Sequence, residues 1–107
     1  MNRPGKLTSQ EIRDWLLNHS DWALSPDETF IQRDFTFTDF VTAWTFMCRI
    51  AAKAEGMNHH PDWSNAYNRV SIRLTTHDAG GLTTLDLHLA DQIHQIRGES
   101  YSGFQVG

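Results

Sequence analysis

The stretch VSIRLTTHDAGGLTTLDLHLA, residues 70–90, holds a strand, a loop and the start of a helix in immediate succession. Apolar and polar side chains alternate from Val70 to Leu74, which is typical of a strand with one buried face. After a loop with two glycines, Thr83 and Asp86 stand at the spacing of a capping box, in which side chains pair otherwise unsatisfied backbone N–H groups. A half-buried strand that leads into a capped helix indicates an α+β domain.

The amino-terminal part repeats these signals. Thr8 and Glu11 form a second capping box, so a helix is expected from there to about residue 20. Residues 22–24 and 29–37 are rich in aromatic and β-branched side chains on either side of a turn at Pro26. This pattern predicts a hairpin of two strands.

A long second helix is expected between these strands and the loop that starts at Met57. Thr38 stands where an N-cap is needed, and Gly56 stands where the helix is expected to end. Apolar side chains at helical spacing are expected to face the core rather than a ligand. They are Phe40, Trp44, Met47, Ala51 and Ala54.

The remaining pattern completes the order α-β-β-α-β-β-α. A turn at Asn68-Arg69 is expected to divide residues 64–77 into two strands, and the last helix is expected to end at Gly98. Short amphipathic strand pairs favour an antiparallel sheet. We therefore expect one α+β domain over residues 1–98, with a four-stranded antiparallel sheet and three helices on one face. Residues 99–107 are expected to form a loose tail.

Composition limits the classes of function. The chain has 107 residues, one cysteine and a net charge of −4, which fits one globular domain without a disulfide. The acidic balance argues against nucleic-acid binding. The sequence has no apolar signal core and no apolar run long enough for a membrane span, so we expect a soluble, cytoplasmic protein.

Histidine is the residue type that most suggests chemistry here. The chain has six histidines, and His59 and His60 precede Pro61 in a polar loop, while His77 ends a predicted strand. Imidazole exchanges protons near neutral pH, so a cluster of histidines is suited to acid–base catalysis. Each of these histidines alone is as well explained as a surface residue. Together with Asp86 or Glu55 they also match the residue types of a zinc site, although adjacent histidines rarely bind one ion.

The joint spacing of these residues resembles a known family signature. Glu55, His59-His60-Pro61, Tyr67, His77 and Asp86 stand at the intervals typical of the pterin-4a-carbinolamine dehydratases. The neighbouring sequence is similar to that family as well, over residues 59–63, 67–77 and 81–90. The resemblance extends from the first helix to about Ile96.

The resemblance implies a function and an assembly. Family members dehydrate 4a-hydroxytetrahydropterin to quinonoid dihydropterin, after an aromatic amino acid hydroxylase has used the pterin, and so serve tetrahydropterin recycling. They are hydro-lyases that need no metal and no organic cofactor. They have the α+β fold expected above and form homo-dimers or homo-tetramers.

The resemblance also implies roles for individual residues. His59, His60 and His77 are the catalytic set, with His60 and His77 as the proton-transfer pair and His59 binding the substrate. The residues that bind the substrate or orient the histidines are Glu55, Pro61, Trp63, Thr76 and Asp86, and Trp63 is expected to wall the pterin ring. Asn58 departs from relatives that carry an acid there.

A non-catalytic binding module is the alternative. Some animal members of the family stabilise dimers of a homeodomain transcription factor through a helical surface. A chain that had lost catalysis would not need the His-His-Pro…His set, which is retained here. The sequence therefore favours the dehydratase.

Overall fold

The structure is a computed structural model that describes residues 4–99. Its helices are α1 (Ser9–Leu16), α2 (Phe40–Met57) and α3 (Thr84–Gly98), and a short 3₁₀ helix covers His77–Ala79. Its strands are β1 (Ala23–Leu24), β2 (Ile31–Thr36), β3 (Asp62–Ala66) and β4 (Arg69–Leu74). The tail expected from residue 99 onward lies, apart from Glu99, outside the described residues.

The four strands form an antiparallel sheet in the order β1-β2-β4-β3, which confirms the predicted α+β fold. Strand alternation turns Val70, Ile72 and Leu74 of β4 into the core, where each is almost completely buried. Arg69 and Arg73 of the same strand lie exposed on the opposite face. The sheet thus has one face covered by helices and one open face.

Both predicted capping boxes are present. The Thr8 hydroxyl accepts the Glu11 N–H at the start of α1, and Glu11 Oε1 accepts the Thr8 N–H. At the start of α3 the Asp86 carboxylate accepts the Thr83 N–H, while Thr83 caps the first turn. These local signals fix where both helices begin, because the side chains replace backbone partners that a first turn lacks.

The two ends of α2 differ from the prediction. Asp39, rather than Thr38, is the N-cap, and its carboxylate accepts the Thr42 N–H at 2.8 Å. A carboxylate there also interacts favourably with the positive end of the helix dipole. Gly56 lies inside the helix, which ends at Met57, and the C-cap Asn58 adopts the left-handed conformation with φ 50°. Asparagine tolerates that conformation better than most residues.

The predicted core face of α2 is wrong in part. Phe40 and Trp44 are 43% and 52% exposed, and their rings stack on each other with centroids 6.0 Å apart. Ala51, which was also expected to face the core, is exposed. The helix buries a neighbouring stripe instead, formed by Ala43, Phe46, Met47, Ile50 and Ala54. Phe46 decides this rotation because its ring packs 4.8 Å from those of Phe35 and Phe37.

No helix in residues 4–99 is both long and apolar enough to cross a membrane.

The β3–β4 hairpin is shifted slightly from its predicted bounds. β3 begins at Asp62, and the turn contains Tyr67 with φ 53°, one residue before the expected position. The Asn65 side chain closes the turn by donating to the carbonyl oxygens of Tyr67 and Arg69. Because β4 ends at Leu74, His77 lies in the 3₁₀ helix and not at a strand end.

Candidate active site

Three histidines, His59, His60 and His77, line one open cavity of about 270 Å³. The other lining residues come from the same two chain segments and are Asn58, Pro61, Asp62, Thr75 and Asp78. One segment links α2 to β3, and the other follows β4. In an antiparallel pair the start of one strand lies beside the end of the other, so the sheet brings these segments together.

Local structure holds the histidine loop in place. The left-handed Asn58 reverses the chain, and the His59 N–H donates to the Ala54 carbonyl at 3.0 Å. Pro61 has a φ fixed by its ring and favours an extended backbone at the residue before it, His60. Asp62 follows as the first residue of β3, paired with Arg73 of β4. The two histidines therefore lie on a short connection that is tied to a helix end and a strand start.

His59 forms a buried pair with Asp86. Its Nε2 lies 2.6 Å from Asp86 Oδ1, and the side chains are 5% and 0% exposed. Since the carboxylate oxygen is an acceptor, Nε2 carries the ring proton in this contact. The hydrogen bond fixes the orientation of the imidazole. In a neutral His59 the other ring nitrogen, Nδ1, is then unprotonated and is the acceptor.

Two threonines complete the surroundings of Asp86. Its Oδ2 accepts the Thr76 hydroxyl at 2.7 Å and the Thr83 N–H at 2.9 Å. The Thr76 hydroxyl has one proton, which it donates to Asp86. The Thr83 hydroxyl is therefore the donor in its contact with Thr76 Oγ1, at 2.8 Å. Asp86 is thus more than a helix cap, since its carboxylate joins the segment that follows β4, the start of α3 and the histidine loop.

The other two histidines are paired at the surface. His60 Nε2 lies 2.8 Å from Glu55 Oε1, and His77 Nε2 lies 3.2 Å from Asp62 Oδ2. The His60 and His77 side chains are 58% and 80% exposed. Each histidine of the cavity therefore has a carboxylate partner, one buried and two in contact with solvent.

A second cavity of about 290 Å³ adjoins the first. Asp62, Thr75 and His77 line both, and the second is completed by Thr29, Phe30, Arg73, Gly80 and Gly81. The two volumes together are of the size that small-molecule sites occupy, about 300–1,000 Å³. His77 and Asp62 stand at the junction.

The structure brings most of the predicted site residues together. Pro61 lines the histidine cavity, and Glu55, Thr76 and Asp86 contact either a histidine or the partner of one. Trp63 is different, because it packs against the hydrophobic core and lines neither of the two cavities. Its β3 position opposite Ile72 turns it to the helix-covered face of the sheet.

Other residues of the site were missed by the sequence reasoning. Asp62 is the partner of His77, and Thr83 belongs to the Asp86 network as well as to the helix cap. Asp62 directly follows the His-His-Pro run, so its position beside a candidate loop was the available signal. Within residues 4–99, no group of three or more histidine, cysteine or acidic side chains is arranged to hold a metal ion.

Comparison with known proteins agrees with this architecture. The family model described as pterin 4 alpha carbinolamine dehydratase matches residues 5–96, nearly the whole chain. The chain belongs to this family. The matched range includes all three helices up to Ile96 and every residue that lines the two cavities of this dehydratase-family chain.

Individual relatives give the same assignment. A protein of Rhodospirillum rubrum, provisionally named pterin-4-alpha-carbinolamine dehydratase, is 49% identical over 93 residues, which cover 87% of this chain and 97% of the relative. A Burkholderia multivorans protein with the same name is 51% identical over 85 residues, 79% of this chain and 83% of the relative.

A solved structure supports the fold directly. The crystal structure of a transcriptional coactivator/pterin dehydratase from Brucella melitensis has a TM-score of 0.84 and 40% sequence identity, and the match covers 88% of this chain and 100% of that one. A pterin dehydratase-like protein that is a RuBisCO assembly factor in the alpha-carboxysome has a TM-score of 0.64 at 20% identity over 77% of this chain and 95% of its own. At that identity the second likeness concerns the fold alone.

Proposed function

We propose that this protein is a dehydratase that converts 4a-hydroxytetrahydropterin to quinonoid dihydropterin by histidine acid–base catalysis. The observation that carries the proposal is the convergence of His59, His60 and His77 on one cavity, each beside a carboxylate. Family membership supplies the class of reaction. In this role the protein serves the recycling of tetrahydropterin after an aromatic amino acid hydroxylase has used it.

The reaction needs one acid and one base. The bond from C4a to the hydroxyl oxygen breaks, and the oxygen leaves as water once a proton has been delivered to it. A ring nitrogen of the pterin loses a proton in the same conversion, so the protein gains none overall. Two imidazoles in different protonation states perform both transfers near neutral pH.

The surroundings of the histidines support a division of these roles. His60 and His77 are exposed to the cavity and stand on different chain segments, so they suit proton transfer at two sides of a bound ring. Glu55 binds Nε2 of His60, and Asp62 binds Nε2 of His77. The other ring nitrogen of each histidine, Nδ1, is then the one that exchanges protons with the substrate. His59, which is buried and fixed by Asp86, is better suited to bind the substrate in one orientation.

Activity of single variants tests this proposal. His60→Ala and His77→Ala should each lower the rate of carbinolamine dehydration by about 10²-fold or more, because each removes a positioned proton donor or acceptor. Their melting temperatures should change little, since both side chains are largely exposed. The rate should also fall in acid, where the base becomes protonated.

His88→Ala provides a matched control. His88 is an exposed histidine on α3 that lines neither cavity. Its variant should retain the wild-type rate. Equal losses of rate in all three single variants would contradict the assigned roles. Full activity of both the His60→Ala variant and the His77→Ala variant would contradict them as well.

The exposed face of α2 favours an association function in addition. Phe40, Val41 and Trp44 are 43%, 42% and 52% exposed on one stretch of this helix. Exposed apolar side chains grouped in this way are typical of interaction surfaces. We propose that a second copy of the chain covers them in a homo-oligomer, a dimer or a tetramer. If catalysis is absent, the same face supports the alternative of a binding module for another protein.

A further inference from the structure

The second cavity, referred to here as the Phe30–Arg73 cavity, has a chemistry different from that of the histidine cavity. The Arg73 guanidinium lies over the Phe30 ring, 4.3 Å from its centroid, and the Arg73 Nε–H donates to Gln32 Oε1 at 2.8 Å. Stacking and this hydrogen bond hold the guanidinium plane in place. Its terminal N–H groups are therefore preorganised as donors at the cavity wall.

The charge balance of this cavity is positive on the side away from the histidines. Within residues 4–99, no carboxylate forms an ion pair with Arg73. Asp62, the acid in the lining, lies at the junction and contacts His77. Arg73 is therefore the charged side chain of the lining on that side, opposite the junction with the histidine cavity.

The position of the cavity matches the place where a substituent on pterin C6 would lie. Carbon C6 is joined to the reacting carbon C4a through the single atom N5, so a substituent on C6 leaves the ring close to the reacting centre. If C4a lies among the histidines, that substituent must enter space directly beside them. The Phe30–Arg73 cavity shares Asp62, Thr75 and His77 with the histidine cavity and provides this space.

We propose that the Phe30–Arg73 cavity binds the substituent on pterin C6 and selects substituents that carry an anionic group, a phosphate or a carboxylate. This inference rests on the proposed dehydratase function and specifies its substrate class. A fixed guanidinium binds such groups through two parallel, charge-assisted hydrogen bonds, which a neutral hydroxyl cannot accept in the same way. Arg73 is in this view a specificity-determining residue and takes no part in proton transfer.

Equilibrium binding of matched dihydropterins tests the inference. Titration calorimetry would compare dihydroneopterin, whose side chain is neutral, with dihydroneopterin monophosphate, and dihydrofolate would serve as the carboxylate probe. The wild-type protein should bind at least one anionic probe about 10-fold or more tightly than the neutral one. The preference should shrink as the salt concentration rises. Whichever probe binds more tightly than neutral dihydroneopterin, the monophosphate or dihydrofolate, identifies phosphate or carboxylate as the preferred anionic group.

Variants assign the preference to one side chain. Arg73→Gln should abolish it while the affinity for neutral dihydroneopterin changes by less than about 2-fold, and Arg73→Lys should retain only part of it. Arg69→Gln is the matched control, because Arg69 is exposed on the same face of β4 but lines neither cavity. It should leave the preference intact.

The outcomes separate this inference from the proposed function. Equal affinity of the wild-type protein for neutral and anionic probes, or a preference that survives Arg73→Gln, overturns the substrate class but leaves a dehydratase that acts on neutral carbinolamines. If the preference depends on Arg73 but the protein does not turn over the carbinolamine, the result supports anion binding by the Phe30–Arg73 cavity and refutes the proposed dehydratase function. Failure of all the dihydropterins to bind overturns the inference about the cavity, and the rate of carbinolamine dehydration decides the dehydratase function separately.

Discussion

Replacement of Asp86 tests whether this side chain is a simple helix cap or the centre of a buried network. Asp86→Ala removes the acceptor of three donors: the His59 Nε2–H, the Thr76 hydroxyl and the Thr83 N–H. A buried donor without an acceptor costs about 1–3 kcal/mol, so the three together predict a loss of roughly 3 kcal/mol or more. In a domain of this size that corresponds to a fall in melting temperature of roughly 12 °C or more.

Asp86→Asn should behave differently in two respects. Its carbonyl oxygen can keep the place of Oδ2 and accept from Thr76 and Thr83, so the stability loss should be near 1 kcal/mol. Its amide then faces His59 as a donor. His59 Nε2 must accept in that contact, and the ring proton must move to Nδ1.

Two measurements check these expectations. Thermal unfolding followed by circular dichroism should rank the wild type above Asp86→Asn and far above Asp86→Ala. Nitrogen-15 NMR of the histidine rings should show the proton of His59 on Nε2 in the wild type and on Nδ1 in Asp86→Asn. Asp14→Ala, which removes an exposed acid on α1, should change stability by less than about 0.5 kcal/mol. The reasoning is refuted if Asp86→Ala is no less stable than Asp86→Asn, or if the tautomer is the same in both proteins.

Two further predictions concern α2. Hydrogen bonds from Thr42 hold the pKa of Asp39 below its usual range, so Asp39 stabilises the fold fully above its ordinary pKa and loses this effect as the pH falls through the lowered folded value. Asp39→Asn should therefore flatten the acid side of a plot of unfolding free energy against pH, and an unchanged slope would speak against the cap. Light scattering should show the wild-type protein as a dimer or larger, and Trp44→Ser should shift it toward monomer. A wild-type protein that stays monomeric at micromolar concentrations would contradict the proposed interface.

Local patterns were sufficient for the elements and insufficient for the face of α2. The capping boxes at Thr8 and Thr83 and the alternation in β4 depend on neighbouring residues only, so the sequence displays them directly. The helix α2 is apolar on two adjacent stripes, and periodicity cannot choose between them. The choice is made by packing of Phe46 against Phe35, which belongs to a distant strand.

The candidate site shows the same division. The histidines were found from their spacing, but the partners Asp62 and Thr83 depend on which chain segments meet. The Phe30–Arg73 cavity depends on the register of β2, β3 and β4, which pairs Arg73 with both Gln32 and Asp62. A local pattern contains no information on that register, and the stacking of Phe30 on Arg73 is visible only after the strands are paired.

Dehydration by the metal-free wild-type protein is the most direct test of the proposed activity. A tetrahydropterin carbinolamine would be generated chemically, and its conversion to quinonoid dihydropterin would be followed by absorbance, with and without protein purified in the presence of a chelator. The arrangement of His59, His60 and His77 predicts a rate well above that of buffer, without any added metal or cofactor. A folded, oligomeric protein that gives no rate above buffer, with neutral and with anionic C6 substituents alike, would contradict it and move the binding-module alternative to first place.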